Sequence, residues 1–390
     1  MANIDRRDAP PLAHPAPVTT GSRIGPSKIL VRREHVESSI APSPEPSSTG
    51  DAMSDGRSAS APATPERATM KAIIQDRYGR PGVLDLREVD QPVIDDHQVL
   101  IRVVASSVNP VEWYAVTGPY FARIGNGLRK PKQTTVGADV AGRVEAIGRD
   151  VRDLQPGDEV FGTSAGAWAE YACAREDRLV SKPASLSFEE AAAVPVAALT
   201  ALQALRDKGQ IQAGQKVLIN GASGGVGTFA VQLAKSFGAE VTGVCRTMNV
   251  ELVRSLGADR VVDYTQEDFT QRGERHDLML DIAGSRSFFD FRRALTPQAT
   301  VVLVGGPMTY RGLGPLPHLF GTLAKSRGRS QKVTFFVAKV TKEDLAVLRE
   351  LLEAGKVTPV IDRRYQLSEA SEALEYFGEG HARGKVVISV

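Results

Sequence analysis

The sequence predicts an α/β protein in two parts, a doubly wound parallel sheet and a small, partly open β-barrel. Three observations predict it. Strand-like and helix-like runs alternate through six strands beyond about residue 196. Ahead of them, short β-branched runs are separated by Gly and Pro turns. Between the first of the six strands and an amphipathic run lies a glycine-rich loop.

The elements follow in chain order. Residues 1–69 hold ten of the 23 prolines, no Phe, Trp or Tyr, and eight acidic against eight basic residues. Such a segment buries too little apolar surface to offset its ordering entropy, so it is expected to be disordered. It has no apolar h-region, and its acidic residues argue against an organellar transit peptide. A spacer, a start assigned too early (Met70 opens the first strand-like run) and a regulatory tail are the readings it leaves. From Met70 to about Pro195 the pattern is β-rich. VLIRVVASSVN (99–109) is a β-branched run that ends at Asn109-Pro110, and GRVEAIG (142–148) alternates apolar and polar residues. Pro156-Gly157-Asp158 is a turn signal.

The six later strands are KVLIN (216–220), EVTGVC (240–245), RVVDY (260–264), DLMLDI (277–282), TVVLVG (300–305) and KVTFF (332–336). In VGTFAVQLAKSF, residues Val226, Ala230, Leu233, Ala234 and Phe237 share one helical face. NVELVRSLG opens on Asn249, a good N-cap, and stops at Gly257. No short internal repeat is present.

Composition excludes several function classes. With 48 basic and 46 acidic residues the net charge is +2, so neither nucleic acid nor an anionic membrane is an expected partner. No run of 18 or more apolar residues occurs. Cys173 and Cys245 are too far apart for a disulfide framework or a Cys-x-x-Cys clip, which fits a reducing cytoplasm. The six histidines are scattered, without a His-x-x-x-His pair, so no sequence-local metal site is expected.

The most specific signal is the loop Gly221-Ala222-Ser223-Gly224-Gly225-Val226-Gly227. Glycines there permit a tight turn and close approach of the backbone to a pyrophosphate, and the free N–H groups of the following helix face the anion. Dinucleotide binding is expected. An NAD site usually carries Asp or Glu at the end of the second strand. Here that turn reads Val244-Cys245-Arg246-Thr247-Met248-Asn249, with no acid between Val241 and Val250. Arg246 stands where a 2′-phosphate would lie, with Thr247 and Asn249 as further donors, so NADP is expected over NAD.

Residues 70–390 resemble the zinc-free, quinone-oxidoreductase-like branch of the medium-chain dehydrogenase/reductases. The stretches that carry the resemblance include SVNPVEWYAVTG (107–118), VGADVAGRVEAIG (136–148), GAWAEYA (166–172), AAAVPVAALTALQAL (191–205), NGASGGVGTFAVQLAK (220–235), SLGADRVVDY (255–264) and GHARGKVVISV (380–390). The resemblance implies a GroES-like catalytic domain of residues 70–195 plus 331–390, with a Rossmann domain of 196–330 inserted in it. It implies cofactor contacts at Asn109, Thr200, Ser223, Gly224, Gly225, Val226, Arg246, Asn249, Tyr264, Val304, Gly305, Gly306, Phe335, Phe336 and Lys385. Relatives often have Lys or Arg where this chain has Met248, so the phosphate cation is displaced by two residues to Arg246. The segments that hold catalytic zinc in related alcohol dehydrogenases, here VNPVEW and VGADVAG, supply neither thiolate nor imidazole.

Without a Lewis acid, reduction of an activated acceptor is easier than oxidation of an alcohol. The expectation is therefore an NADPH-dependent reductase of quinones or α,β-unsaturated carbonyls, acting as a homodimer. Enoyl-thioester and alkenal reduction are the neighbouring alternatives, and a non-catalytic NADPH-binding sensor or structural protein is the alternative of another class. Asn109 and Tyr114 are the expected donors to the acceptor oxygen, unless Tyr114 is a wall residue beside Trp113. Cys173 has no neighbouring His in the sequence to activate it and is expected in the core. Lys325, Arg327, Arg329 and Lys332 are expected to form a solvated loop.

Overall fold

The structure, a computed structural model, describes residues 68–306 and 313–390. The expected disordered extension lies outside the described residues except for Ala68 and Thr69, and Thr69 already pairs with Asp90 in the first strand. Strands β1 (Thr69–Gln75) and β2 (Leu84–Asp90) form an antiparallel pair. Five strands follow: β3 (Gln98–Ser107), β4 (Asp139–Ile147), β5 (Glu159–Thr163), β6 (Tyr171–Arg175) and β7 (Leu179–Ser181). Six more are β8 (Lys216–Asn220), β9 (Glu240–Cys245), β10 (Arg260–Asp263), β11 (His276–Asp281), β12 (Leu295–Leu303) and β13 (Lys332–Phe335). The last are β14 (Ile361–Gln366) and β15 (Lys385–Ser389).

A seven-stranded sheet runs β14-β15-β3-β4-β5-β7, with β6 also on β3. Its path is open between β14 and β7, in keeping with a partly open barrel. The long β3 pairs with β4 along one edge and divides its other edge between β6, over Gln98–Arg102, and β15, over Ala105–Ser107. Val99, Ile101, Val103 and Ala105 are all buried, at the two-residue period of one strand face.

The second sheet is parallel throughout, in the order β10-β9-β8-β11-β12-β13. The connections reverse direction between β8 and β11. At the carboxyl ends of these two strands, Asn220 is paired in register with Asp281. β13 belongs to this sheet, so the sheet passes beyond the domain boundary expected at residue 330 and ends at Phe335. The reason is backbone pairing: Lys332–Phe335 line up with Thr300–Leu303.

Helices α1 (Pro110–Thr117) and α2 (Tyr120–Asn126) follow β3. Helices α3 (Phe188–Ala192) and α4 (Pro195–Gln203) lead into the parallel sheet. That sheet carries α5 (Gly225–Ser236), α6 (Val250–Ser255), α7 (Phe288–Phe291) and α8 (Leu316–Ser326). Then come α9 (Lys342–Glu353) and α10 (Ala370–Gly378). α5 buries Phe229 and Val231 beyond the expected stripe, while Val226 and Phe237 are only partly buried. The helix is covered by α4 as well as by the sheet, so one stripe does not account for its buried surface. One apolar cluster runs from Ala105, Ala141 and Val387 through Ala197, Ala198 and Leu202 to Val217, Ile219 and Val241, joining both sheets.

Candidate active site

β8 delivers the chain into the glycine loop. Gly221 has φ +95°, a region that disfavours any side chain. A Cβ on Gly227 would stand 2.1 Å from the Gly221 carbonyl oxygen, so glycine is required there for helix and turn to approach. Gly224 caps α5 without a side chain, and the first amide in a helical bond is that of Thr228, to Gly224 O at 2.9 Å. The N–H groups at the helix start are therefore left for an anion, on the positive end of the helix dipole. Ser223, Gly224, Gly225 and Val226 all lie in this cradle, which fits a pyrophosphate.

Asn249 supports the cradle. It does not cap α6 through its side chain, as its position suggested; its Nδ2–H donates to Ser223 Oγ at 2.9 Å. The two residues are thus brought together across the β8 and β9 ends. At the end of β9, Arg246 Nε donates to the Tyr264 hydroxyl at 3.4 Å, and Tyr264 is exposed. This joins two of the expected phosphate contacts. Thr247 donates to Asp263 Oδ2 at 2.6 Å. Hydrogen bonds from Thr247 and Thr265 hold the Asp263 carboxyl below the usual carboxylate range. A further guanidinium escaped the sequence reading: Arg383 Nη2 donates to the Met248 carbonyl at 3.1 Å. Its location 135 positions away left no local signal.

Other expected contacts spread along the same edge. The Thr200 hydroxyl on α4 donates back to Val196 O at 2.7 Å. Val304 and Gly305 donate backbone N–H groups to Asp281 O, which fixes the 304–306 turn on β11. Phe335 is exposed and packs edge-on against Phe320, ring centroids 6.4 Å apart. Phe336 is partly buried, with Lys208 Nζ 5.9 Å from its ring centroid. The contacts of these two phenylalanines do not reach the glycine loop.

Asn109 and Lys385 are brought together, but in a different arrangement from the expected one. Lys385 is buried, and its Nζ donates to Asn109 Oδ1 at 2.5 Å, Val108 O at 3.2 Å and Asp139 Oδ2 at 3.4 Å. With those three partners the ammonium is occupied inside the barrel. Asn109 Nδ2 in turn donates to Asp139 Oδ2 at 2.9 Å, and Ser107 Oγ donates to the same oxygen at 2.5 Å. Asp139 Oδ1 accepts from Val196 N at 2.9 Å, so one buried carboxylate also holds the start of α4. Glu112, not singled out from sequence, accepts from Asn109 N at 2.8 Å. Burial, then the neighbouring Asp139, pushes its carboxyl up to about 8.

Tyr114 stands one turn further along α1, edge-on to Phe121 with ring centroids 5.2 Å apart. Burial pushes its phenol up to about 12. It therefore stays protonated at neutral pH and can act as a hydrogen-bond donor. Burial pushes the Cys173 and Cys245 thiols up to about 11, which argues against either as a nucleophile. Lys325, Arg327, Arg329 and Lys332 are exposed.

The segments corresponding to a zinc site do not fit a metal: Asp139 is already shared among Ser107, Asn109, Val196 and the ammonium of Lys385. No group of three or more His, Cys, Asp or Glu able to hold a metal occurs among the described residues. No helix among them is long and apolar enough to cross a membrane.

Comparison with known proteins bears on this architecture. Residues 95–184 match the family model of the alcohol dehydrogenase GroES-like domain, and residues 256–388 match that named zinc-binding dehydrogenase. The chain is 35% identical to the 2-methylene-furan-3-one reductase of Solanum lycopersicum, over 82% of this chain and 79% of that protein. It is 35% identical to the chloroplast envelope quinone oxidoreductase homolog of Arabidopsis thaliana, over 82% and 98%. It is 34% identical to the chloroplastic NADPH-dependent alkenal/one oxidoreductase of the same plant, over 82% and 79%. Among solved structures, the quinone oxidoreductase of Coxiella burnetii superimposes with a TM-score of 0.73 at 32% identity, covering 83% of this chain and all of that one. The fold, the glycine cradle and these relatives together establish that the chain is an oxidoreductase of the medium-chain dehydrogenase/reductase superfamily and belongs to its quinone-oxidoreductase-like family.

Proposed function

We propose that this chain is a zinc-independent, NADPH-dependent reductase of quinones or α,β-unsaturated carbonyls. Bound NADPH would supply a hydride to the acceptor. Ser223 to Val226 would hold the pyrophosphate, and Arg246 with Tyr264 the 2′-phosphate, assisted by Arg383. Thr200 and the turn Val304–Gly306 would flank the nicotinamide half. Tyr114 would donate a hydrogen bond to the acceptor oxygen, while Asn109 and Lys385 position α1 from within the barrel.

The observation that carries this reading is the Lys385 ammonium, bonded to Asn109 and Asp139 in the segments where zinc-dependent relatives place their metal. With that position taken, acceptors that need no Lewis acid are the fitting substrates. The names of the plant relatives point the same way, to quinones and alkenals or alkenones. The reading includes a homodimer, supported by the edge position of β13 with Phe335 and Phe320 exposed beside it. It also includes a reducing compartment such as the cytoplasm, supported by two free thiols.

The test is cofactor oxidation by the purified chain against quinones, enones, alkenals and enoyl thioesters, with NADPH and NADH compared. Turnover with a quinone or enone and a preference for NADPH are expected. Cofactor retention without turnover on any acceptor would move the chain to the class of binders.

A further inference from the structure

We propose that His318, oriented by Asp281, is the acid that protonates the acceptor after hydride addition; this deepens the reading above and rests on it. Ligands of open α/β sheets bind outside the carboxyl ends of the strands, where the winding reverses. Here that place lies between β8 and β11, and it holds a polar cluster. Asp281 is 1% exposed. Its Oδ1 accepts from Asn220 Nδ2 at 2.8 Å and from Gly284 N at 3.1 Å. Its Oδ2 lies 3.0 Å from His318 Nε2, the one ion-pair partner of Asp281 among the described residues.

His318 comes from α8 and is only partly buried, with 14% of its side chain exposed. It lies against the 304–306 turn: a Cβ on Gly306 would be 3.8 Å from its Cδ2. Asp281 accepts the Nε2–H and so fixes the ring, as a carboxylate does for a catalytic imidazole. Nδ1 has no hydrogen-bond partner among the described residues. Asp281 is itself held by two further donors while it orients the ring at the switch point.

An enone that has received hydride at its β-carbon is an enolate, and it needs one proton at the α-carbon. From the protonated ring of His318 the Nδ1–H bond breaks, its electron pair stays on nitrogen, and a C–H bond forms at the α-carbon. The Nε2–H remains with Asp281, and water returns a proton to Nδ1. One hydride and one proton enter the acceptor for each cofactor oxidised. With a quinone the same proton goes to oxygen.

The experiment uses the full chain, an α-methyl cyclic enone and the variants His318→Gln and His318→Gly. Glutamine can still donate to Asp281, but its amide does not release a proton. Turnover of His318→Gln should fall by about 10²-fold or more, the usual contribution of a positioned acid. Enantiomeric excess at the α-carbon should be lost, because solvent protonates either face, and NADPH affinity should hold. Added imidazole should restore turnover to His318→Gly, which it would not do for a packing defect. A second readout needs neither turnover nor a variant: acylation of His318 by diethyl pyrocarbonate, mapped by peptide mass, should be slowed by NADP⁺ with a quinone. Turnover within threefold of wild type with the excess retained would overturn the proposal, and so would labelling unaffected by ligands. A wild type that oxidised NADPH with no acceptor would remove the substrate reading, while the labelling would still decide whether His318 faces the cleft.

Discussion

Lys385 Nζ lies 2.5 Å from Asn109 Oδ1, across 276 positions of sequence. Backbone pairing makes this contact: β15 runs antiparallel to β3, with Val387 opposite Ser107. One residue earlier, Gly384 N donates to Ser223 O at 2.9 Å. The dipeptide Gly384-Lys385 therefore touches the cofactor loop with its backbone and the barrel site with its side chain. A shift of the parallel sheet against the barrel would break the Gly384–Ser223 contact, while Lys385 and Asn109 both belong to the barrel, so the position of α1 and Tyr114 is tied to that of the cradle through this dipeptide.

Replacing Lys385 by Met should destabilise the fold by about 3–5 kcal/mol, because Asp139 is then a buried charge without its cation. Denaturant unfolding measures this. The double variant with Asp139→Asn should recover part of the loss, and a cycle showing no coupling would mean the two side chains act independently.

Arg246→Glu should abolish much of the preference for NADPH over NADH. A charge-assisted hydrogen bond contributes about 1.5–3 kcal/mol, so the affinity ratio should fall by roughly tenfold or more. Fluorescence titration with each cofactor reads it. Arg383→Ala should lower NADPH affinity by less and leave NADH affinity alone. An unchanged ratio in Arg246→Glu would transfer the phosphate role to Arg383 or Tyr264.

The cofactor cradle was legible because its parts are contiguous: strand, glycine loop and helix start occupy residues 216–235. The absent acid after β9 was equally local. The buried network was not, since Asp139 lies 30 positions from Asn109 and 246 from Lys385. Resemblance placed Asn109 and Lys385 in one cleft, but only the pairing of β3 with β15 shows that they satisfy each other. Asn249 was read as a cap because local spacing favours that role, and tertiary contact with Ser223 prevailed. His318 gave no signal, because its partner is a strand-end aspartate 37 residues earlier.

Glu112 sets a pH dependence. Burial and Asp139 raise its carboxyl from an ordinary 4.5 to about 8, so the folded state keeps a proton that the unfolded state has released between those values. Stability contributed at this position is therefore lost as pH rises from about 4.5 to about 8, and then levels off. Glu112→Gln cannot ionise, so its stability relative to wild type should increase steadily across that window. Thermal unfolding at a series of pH values checks this, and a constant difference from acid to alkaline pH would show that Glu112 does not titrate there.

Purified protein should carry no stoichiometric zinc, and chelator should leave turnover intact. The ammonium of Lys385 beside Asp139 is the reason, since a divalent ion would have to displace it. Elemental analysis decides the matter, and one tightly held zinc per chain would contradict it.

Tyr114 tests the other half of the chemistry. Hydride addition puts negative charge on the acceptor's carbonyl oxygen, and a donor aimed at that oxygen in a dry cleft lowers the barrier. The Tyr114 phenol, pushed up to about 12, stays protonated over the working range and adds no titration of its own to the pH profile there. Tyr114→Phe keeps the ring against Phe121 and removes only the hydroxyl. Turnover should fall by about 10²–10³, the usual loss for one oxyanion donor, while NADPH affinity stays constant. The selectivity of protonation at the α-carbon should survive, because that proton comes from His318 on α8 and not from α1. A fall of less than about threefold, or roughly 0.65 kcal/mol of barrier, is too small for such a donor and would leave Tyr114 as part of the wall.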